Sequence, residues 1–324
     1  SFQNLHQKTG RMISLEGIDY LFFGGTAYLG LLSNPEYTDL YRRGIDRYGL
    51  NNGTSRSNNV QLGIYQEAES HLAQRFGFES SALFSSGYLA AQTAVRALKG
   101  SRTVIYAPQS HPALWLDEKP ILSQQDFSSW INHTVEFINH SDQSEFLIAA
   151  NAMDNLTPEF FDFSLLKQVN PNKDILLLLD DSHGLAVMRK NKPSVDPENF
   201  GTENLRIVLI ASLAKGLGTD AGVVLSSERI IAKIKKHPIF LGASPSAPAA
   251  FFALVNGEKI YLEAFEKMQD NNRLLARITS SLKLNHIENF PVFTSGEPVL
   301  AKHLMEQHLL ISSFPYPLES SPLL

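Results

Sequence analysis

The sequence predicts an α/β fold built on a mostly parallel sheet, and three observations carry that expectation. Apolar runs alternate with helical stretches from about residue 82 to residue 227. One run, ILLLL (175–179), is aliphatic at every position. Such a run belongs to a strand covered on both faces, the usual condition of a parallel sheet. The composition is that of an ordinary globular chain: 324 residues, 43% hydrophobic and 19% charged.

Residues 1–45 form a mixed N-terminal segment, Gly-rich around GGTAYLGL. QEAESHLAQRF follows, where Leu72, Arg75 and Phe76 fall on one helical face. Seven apolar runs come next: ALF (82–84), TVIYA (103–107), TVEFI (134–138), FLIAA (146–150), ILLLL (175–179), RIVLIA (206–211) and GVVLS (222–226). Read as strands, they make a seven-stranded sheet flanked by helices, in a large domain over residues 46–250. SPSAPAA (244–250), rich in Pro and Ser, marks its end. A long helical pattern, FFALVNGEKIYLEAFEKMQDNNRLLARITSSL, leads from there into a small α+β C-terminal domain, residues 251–324. No initiator Met is present and the terminal SSPLL carries no helix-stop signal, so residues are expected to be missing at one or both ends, leaving this domain incomplete.

Composition excludes several chemistries. Lys+Arg 28 against Asp+Glu 33 gives a net charge of −5, spread along the chain, which points to neither nucleic acid nor an anionic membrane as partner. The absence of cysteine rules out disulfides, thiolate zinc sites and thiol nucleophiles. No apolar run approaches the roughly 18 residues of a membrane span. The N-terminal SFQNLHQKTG lacks a signal-peptide core, so a soluble cytoplasmic protein is expected.

The run at 175–179 ends in Asp180, Asp181, Ser182 and His183. A carboxylate at the end of a buried strand needs a partner for its charge. A second stretch, IVLIASLAKGLGTDAGVVL (207–225), is a strand, a turn carrying Lys215, glycines and a further strand. Read alone, Lys215 is a surface lysine or an amine whose pKa is lowered in a crowded site. GLGTDA (216–221) fits a dinucleotide-binding pattern but runs into a strand where that pattern requires a helix. Taken together, lysine and aspartate meet the needs of pyridoxal phosphate (PLP), which requires an amine for its Schiff base and a carboxylate for its pyridine nitrogen. Asp180 is the first polar residue after the run, and His183 lies within reach of the ring's phenolic oxygen. Asp180, Asp181 and His183 would also serve as metal ligands, but the sequence shows no second cluster at ligand spacing. In LFSSGYLA (83–90) a strand ends at Ser85, Ser86 and Gly87 and a helix begins near Tyr88, a turn suited to phosphate. Ser212 would add a hydroxyl, and His111, after another strand, would lie on the ring.

In chain order these pieces resemble the α-oxoamine synthases, within the fold-type I PLP enzymes and the class II aminotransferase group. AYLGL (27–31) is similar to N-x-Y-L-G-L, and residues 48–77 follow the glycine-serine-arginine loop and its L-E-x-x-L-A helix. LFSSGYLA is close to the phosphate turn. SHPAL (110–114) sits where the ring-stacking histidine belongs, LDDSHGLAV (179–187) resembles V-D-E-A-H-G-x-G-V, and SLAKGLG (212–218) resembles the Schiff-base lysine motif. The resemblance covers about residues 20–250. It implies Lys215 as the cofactor lysine and proton carrier, Asp180 at the pyridine nitrogen, His183 at the phenolic oxygen, His111 on the ring, and Ser86, Gly87, Tyr88 and Ser212 at the phosphate. It further implies a homodimer with the active site at its interface, and an amino acid and an acyl-CoA as substrates, usually with decarboxylation.

Departures fall on the substrate side. Thr26 stands where the family carries Asn, Ala152 where it carries Ser, LNNGTSRSN (50–58) is poor in glycine, and GASPSAPA (242–249) replaces the Thr-Ser-Pro-Pro segment. The segment holding the family's carboxylate-binding arginine is expected past the end of this sequence. Thr26 and Ala152 favour a PLP-binding protein with weak or no catalysis, and an aminotransferase working on an amino acid and a keto acid stands beside the condensing enzyme because the motifs around Lys215 and Asp180 occur in both.

Overall fold

The computed structural model describes residues 4–297 and 299–313. The terminal stretch 314–324, with the SSPLL end, lies outside the described residues. In chain order the elements are β1 (Met12–Leu15), β2 (Ile18–Phe22), α1 (Pro35–Tyr48), α2 (Ile64–Phe76), β3 (Ser80–Phe84), α3 (Gly87–Lys99), β4 (Thr103–Tyr106) and α4 (Phe127–His140). There follow β5 (Glu145–Asn151), β6 (Met153–Asp154), β7 (Glu159–Phe160), β8 (Asp174–Asp180), β9 (Leu205–Ser212), α5 (Leu213–Gly216), β10 (Gly222–Ser226) and α6 (Glu228–Lys235). The chain closes with α7 (Pro238–Gly242), α8 (Pro248–Asn256), α9 (Glu258–Ile278), α10 (Leu300–Glu306) and β11 (Leu309–Leu310).

The central sheet has six strands in the order β3-β10-β9-β8-β5-β4. β4, β5, β8 and β9 run parallel, and β10 is antiparallel to both of its neighbours. Both faces are covered, as the unbroken apolar runs require. Along β8, Leu176 and Leu178 pack with Ala90, Ala94 and Val95 of α3, while Ile175, Leu177 and Leu179 pack with Trp130, Ile131 and Ile138 of α4. Each of these aliphatic side chains, once buried, contributes roughly 1.5–3 kcal/mol.

One expected strand is a helix, so the sheet has six strands and not the seven counted from the sequence. TVEFI (134–138) lies inside α4. Phe127, Trp130, Ile131, Thr134, Val135 and Ile138 recur at helical spacing and form its buried face, while Phe137 points out at 53% exposure. Asp126 caps this helix by accepting a hydrogen bond from Ser129 N at 2.8 Å. A strand here would have placed Glu136 on the same side as Thr134 and Ile138.

A smaller sheet in the order β1-β2-β11 joins the N-terminal segment to the C-terminal one. The long helical pattern after residue 250 is two helices, α8 and α9, divided at Gly257. Residues 45 and 250, the limits read from the sequence, lie within α1 and α8. These helices approach so closely that a Cβ on Gly44 would fall 2.7 Å from Ala249 Cα.

Candidate active site

Because β4, β5, β8 and β9 are parallel, their carboxyl ends share one edge of the sheet, the edge where open α/β sheets bind ligands. Asn151, Asp180 and Ser212 end β5, β8 and β9. His183 follows Asp180 by three positions, His111 lies in the connection after β4, and Lys215 sits in the single turn α5 after β9.

The side chains form two linked hydrogen-bond sets. In the first, Lys215 Nζ lies 3.0 Å from His183 Nε2, and His183 Nδ1 lies 2.7 Å from the Tyr28 hydroxyl. Burial, assisted by Lys215 and His111, holds the His183 pKa well below the ordinary imidazole value, so the ring is neutral. Burial likewise lowers the Lys215 pKa, against the opposing pull of Asp180. In the second set, Asp180 Oδ1 accepts from Ser182 N at 3.0 Å and from the Ser182 hydroxyl. The same hydroxyl accepts from Ser212 N at 2.9 Å, tying the end of β8 to that of β9. Among the described residues no hydrogen bond reaches Asp180 Oδ2, which leaves that oxygen as an acceptor.

His111 is held from two directions. Its backbone N–H donates to Asn151 Oδ1 at 3.0 Å, and its Nδ1 accepts from Ala113 N at 3.1 Å. Asn151 Nδ2 also donates to Gln109 O at 2.9 Å, anchoring a turn in which Gln109 has a φ of 56°. Asn151 is the register partner of Asp180, so this turn is fastened directly beside the carboxylate. Burial lowers the His111 pKa, with Asp180 opposing and Lys215 assisting.

The turn before α3 closes the site's third side. Ser86 caps the helix, its hydroxyl accepting from Leu89 N at 3.1 Å. A Cβ on Gly87 would fall 2.7 Å from Ser212 Cβ, so only glycine lets the helix start approach the end of β9 this closely. The Tyr88 ring is 56% exposed, so what Tyr88 offers this turn is its backbone N–H.

The structure thus brings Lys215, His183, Asp180 and His111 to one edge, with Ser86, Gly87 and Ser212 packed alongside. Asp181 goes elsewhere: it is fully buried and accepts from Ser194 N at 2.8 Å and from the Ser194 hydroxyl. Burial pushes its pKa up to about 7. Three residues that sequence reasoning did not single out complete the site: Tyr28, Ser182 and Asn151. Tyr28 stands within AYLGL, but its partner lies 155 positions away in the chain. Ser182 stands where the resembled motif has Ala, and that difference was its one signal.

The donor set suits PLP on chemical grounds. It offers a buried amine of lowered pKa for an aldehyde, a carboxylate oxygen free to pair with a ring N–H, a neutral imidazole for a phenolic oxygen, and a close-packed helix start beside a serine for a phosphate.

Comparison with known proteins gives a consistent picture. The aminotransferase class I and II family matches residues 26–322. The chain is 24% identical over 284 residues to an 8-amino-7-oxononanoate synthase from Chromobacterium violaceum, spanning 86% of this chain and 73% of that one. It is 26% identical over 301 residues to an 8-amino-7-oxononanoate synthase from Pseudomonas aeruginosa, spanning 91% and 75%. Its fold is similar to that of a variant serine palmitoyltransferase from S. paucimobilis with a bound PLP–myriocin aldimine, at a TM-score of 0.83 and 14% identity over 99% of this chain and 85% of the other. A Francisella tularensis 8-amino-7-oxononanoate synthase is also similar in fold, at a TM-score of 0.65 and 17% identity over 92% and 89%. The chain belongs to the aminotransferase class I and II family, as a PLP-dependent transferase of fold type I.

Proposed function

We propose that this protein condenses a small amino acid with an acyl-CoA, the α-oxoamine synthase reaction. The observation that carries this reading is the grouping of the Lys215 amine, 3.0 Å from His183 Nε2, with Asp180 and His111 on the sheet edge. Relatives that are 8-amino-7-oxononanoate synthases favour condensation over transamination. Bound PLP supplies an electron sink for a carbanion at the α-carbon of the amino acid.

The chain's own residues take these roles. Lys215 would hold the cofactor through its amine and would carry the proton at the substrate's α-carbon. Asp180 keeps the pyridine nitrogen protonated through Oδ2, while Ser182 fixes its other oxygen. His183 donates to the phenolic oxygen. His111 would cover one face of the ring and keep water from it. The N–H groups of Ser86, Gly87 and Tyr88, with the Ser212 hydroxyl, bind the phosphate. A homodimer completes the site, and the protein works in the cytoplasm.

The test is CoA release. Glycine, alanine or serine is mixed with acyl-CoA thioesters of increasing length, and free thiol is measured with a chromogenic disulfide. The chain has no cysteine, so the protein adds no thiol background. Thiol release that depends on both substrates is expected. Conversion of the cofactor to pyridoxamine phosphate by amino acid alone, with no thiol released from any thioester, would replace this reading with the aminotransferase one.

A further inference from the structure

Tyr28 enters the site from the N-terminal segment and touches the His183 ring, which also touches Lys215. Its hydroxyl lies 2.7 Å from His183 Nδ1, and Lys215 Nζ lies 3.0 Å from Nε2. Among the described residues the hydroxyl has no other hydrogen-bond partner. A neutral imidazole carries one N–H and one lone pair, on opposite nitrogens. The Tyr28 O–H needs the lone pair on Nδ1. A Lys215 ammonium has only hydrogens to offer and needs it on Nε2. One ring cannot satisfy both.

The two donors differ in what they can give up. Burial raises the Tyr28 pKa far above its ordinary value, so the phenol keeps its hydrogen. With Nδ1 protonated, that hydrogen would be buried without an acceptor, a costly arrangement. Lysine has a way out: it can release a proton and use the amine lone pair to accept from Nε2–H. We propose that Tyr28 is a positioning residue, which by donating to His183 Nδ1 fixes the Nε2–H tautomer and so holds Lys215 as a free amine. The groups facing that amine are Asp180 at the end of β8, His111 after β4, and His183 itself; Asp180 favours the ammonium, and burial opposes it. Use of the same Nε2–H toward a phenolic oxygen rests on the proposed function, whereas the tautomer and the amine do not.

Two measurements on the full chain freed of cofactor test this. The first is nitrogen-15 NMR of histidine-labelled wild-type protein, with the His183 signals assigned by their loss in His183→Gln. A bare Nδ1 and a protonated Nε2 are expected, and a protonated Nδ1 overturns the proposal. The second is trace acetylation by acetic anhydride across a pH series, read on the Lys215 peptide by mass spectrometry. Only the free amine reacts: its N–C bond forms, acetate leaves, and the amine proton passes to solvent. Tyr28→Phe is expected to move the Lys215 midpoint to higher pH and to lower its neutral-pH labelling about tenfold, one pKa unit, with the other lysines unchanged. A folded Tyr28→Phe protein with the wild-type midpoint overturns the proposal. Should that variant not fold, the wild-type tautomer decides alone. Neither measurement uses PLP, so each stands even if the cofactor reading fails.

Discussion

Asp180 and Asp181 are consecutive residues whose carboxylates meet different chemistry. Asp180 keeps one oxygen free at the sheet edge, while both oxygens of Asp181 accept from Ser194. Strand alternation makes this divergence unavoidable. Asp180→Asn is expected to slow exchange of the substrate α-proton by orders of magnitude in the PLP-loaded enzyme, and Asp181→Asn to change it little; equal losses would refute the pairing. Asp181 matters instead for stability. Its pKa rises from 3.8 to about 7 on folding, so the fold favours the protonated form. The stability this contributes is full below about pH 4 and is lost as pH climbs toward 7, a span worth on the order of 4 kcal/mol. Melting temperatures across that window should fall for the wild type and stay level for Asp181→Asn, whose amide can still pair with Ser194. Lys215→Ala should abolish the visible band of bound PLP and the adduct trapped by borohydride, and an adduct on any other lysine would contradict the assignment. Lys215, Asp180 and His183 were legible because polar residues at the end of an apolar strand announce themselves locally. Tyr28 was not, because a partner 155 positions away leaves no mark on the residues beside it.

Gly87 governs the third side of the site as part of an element. Gly87→Ala would place a methyl 2.7 Å from Ser212 Cβ and 2.8 Å from its Cα. Either α3 or the end of β9 must move, at a cost of about 1–3 kcal/mol. The start of α3 then draws back, and equilibrium dialysis should show PLP bound at least tenfold more weakly. Wild-type affinity in this variant would remove the α3 turn from the phosphate site. At the element scale, six of the seven apolar runs are strands. TVEFI was misread because five residues hold too little period to separate strand from helix. The deciding residues, Phe127, Trp130 and Ile131, precede the run. The division at Gly257 was likewise hidden, since α8 is buried at every position from Pro248 to Leu254 and offers no stripe to compare with that of α9.

At the scale of the whole molecule, several large apolar side chains stand exposed. Leu50 is 74% exposed and Val60 71% in the connection between α1 and α2, and Tyr88 is 56% exposed at the start of α3. The homodimer proposed above would bury such surface. Sedimentation at micromolar concentration should therefore give the mass of a dimer, and a monomer carrying its full complement of cofactor would contradict this. Alternation of runs made the parallel sheet legible; the partnering of its edges was not. Among the described residues β3 pairs only with β10, through Phe84 opposite Gly222 and Ser80 opposite Ser226. That partnership has a consequence in time. About 140 residues separate the two strands, and at 5–20 residues per second a ribosome needs roughly 7–30 s to deliver the second after the first. Throughout that interval β3 presents an unpaired backbone edge, the kind that joins neighbouring nascent chains. Loss of yield on rapid overexpression should accordingly be traced to this strand, and slower synthesis, at lower temperature, should restore it.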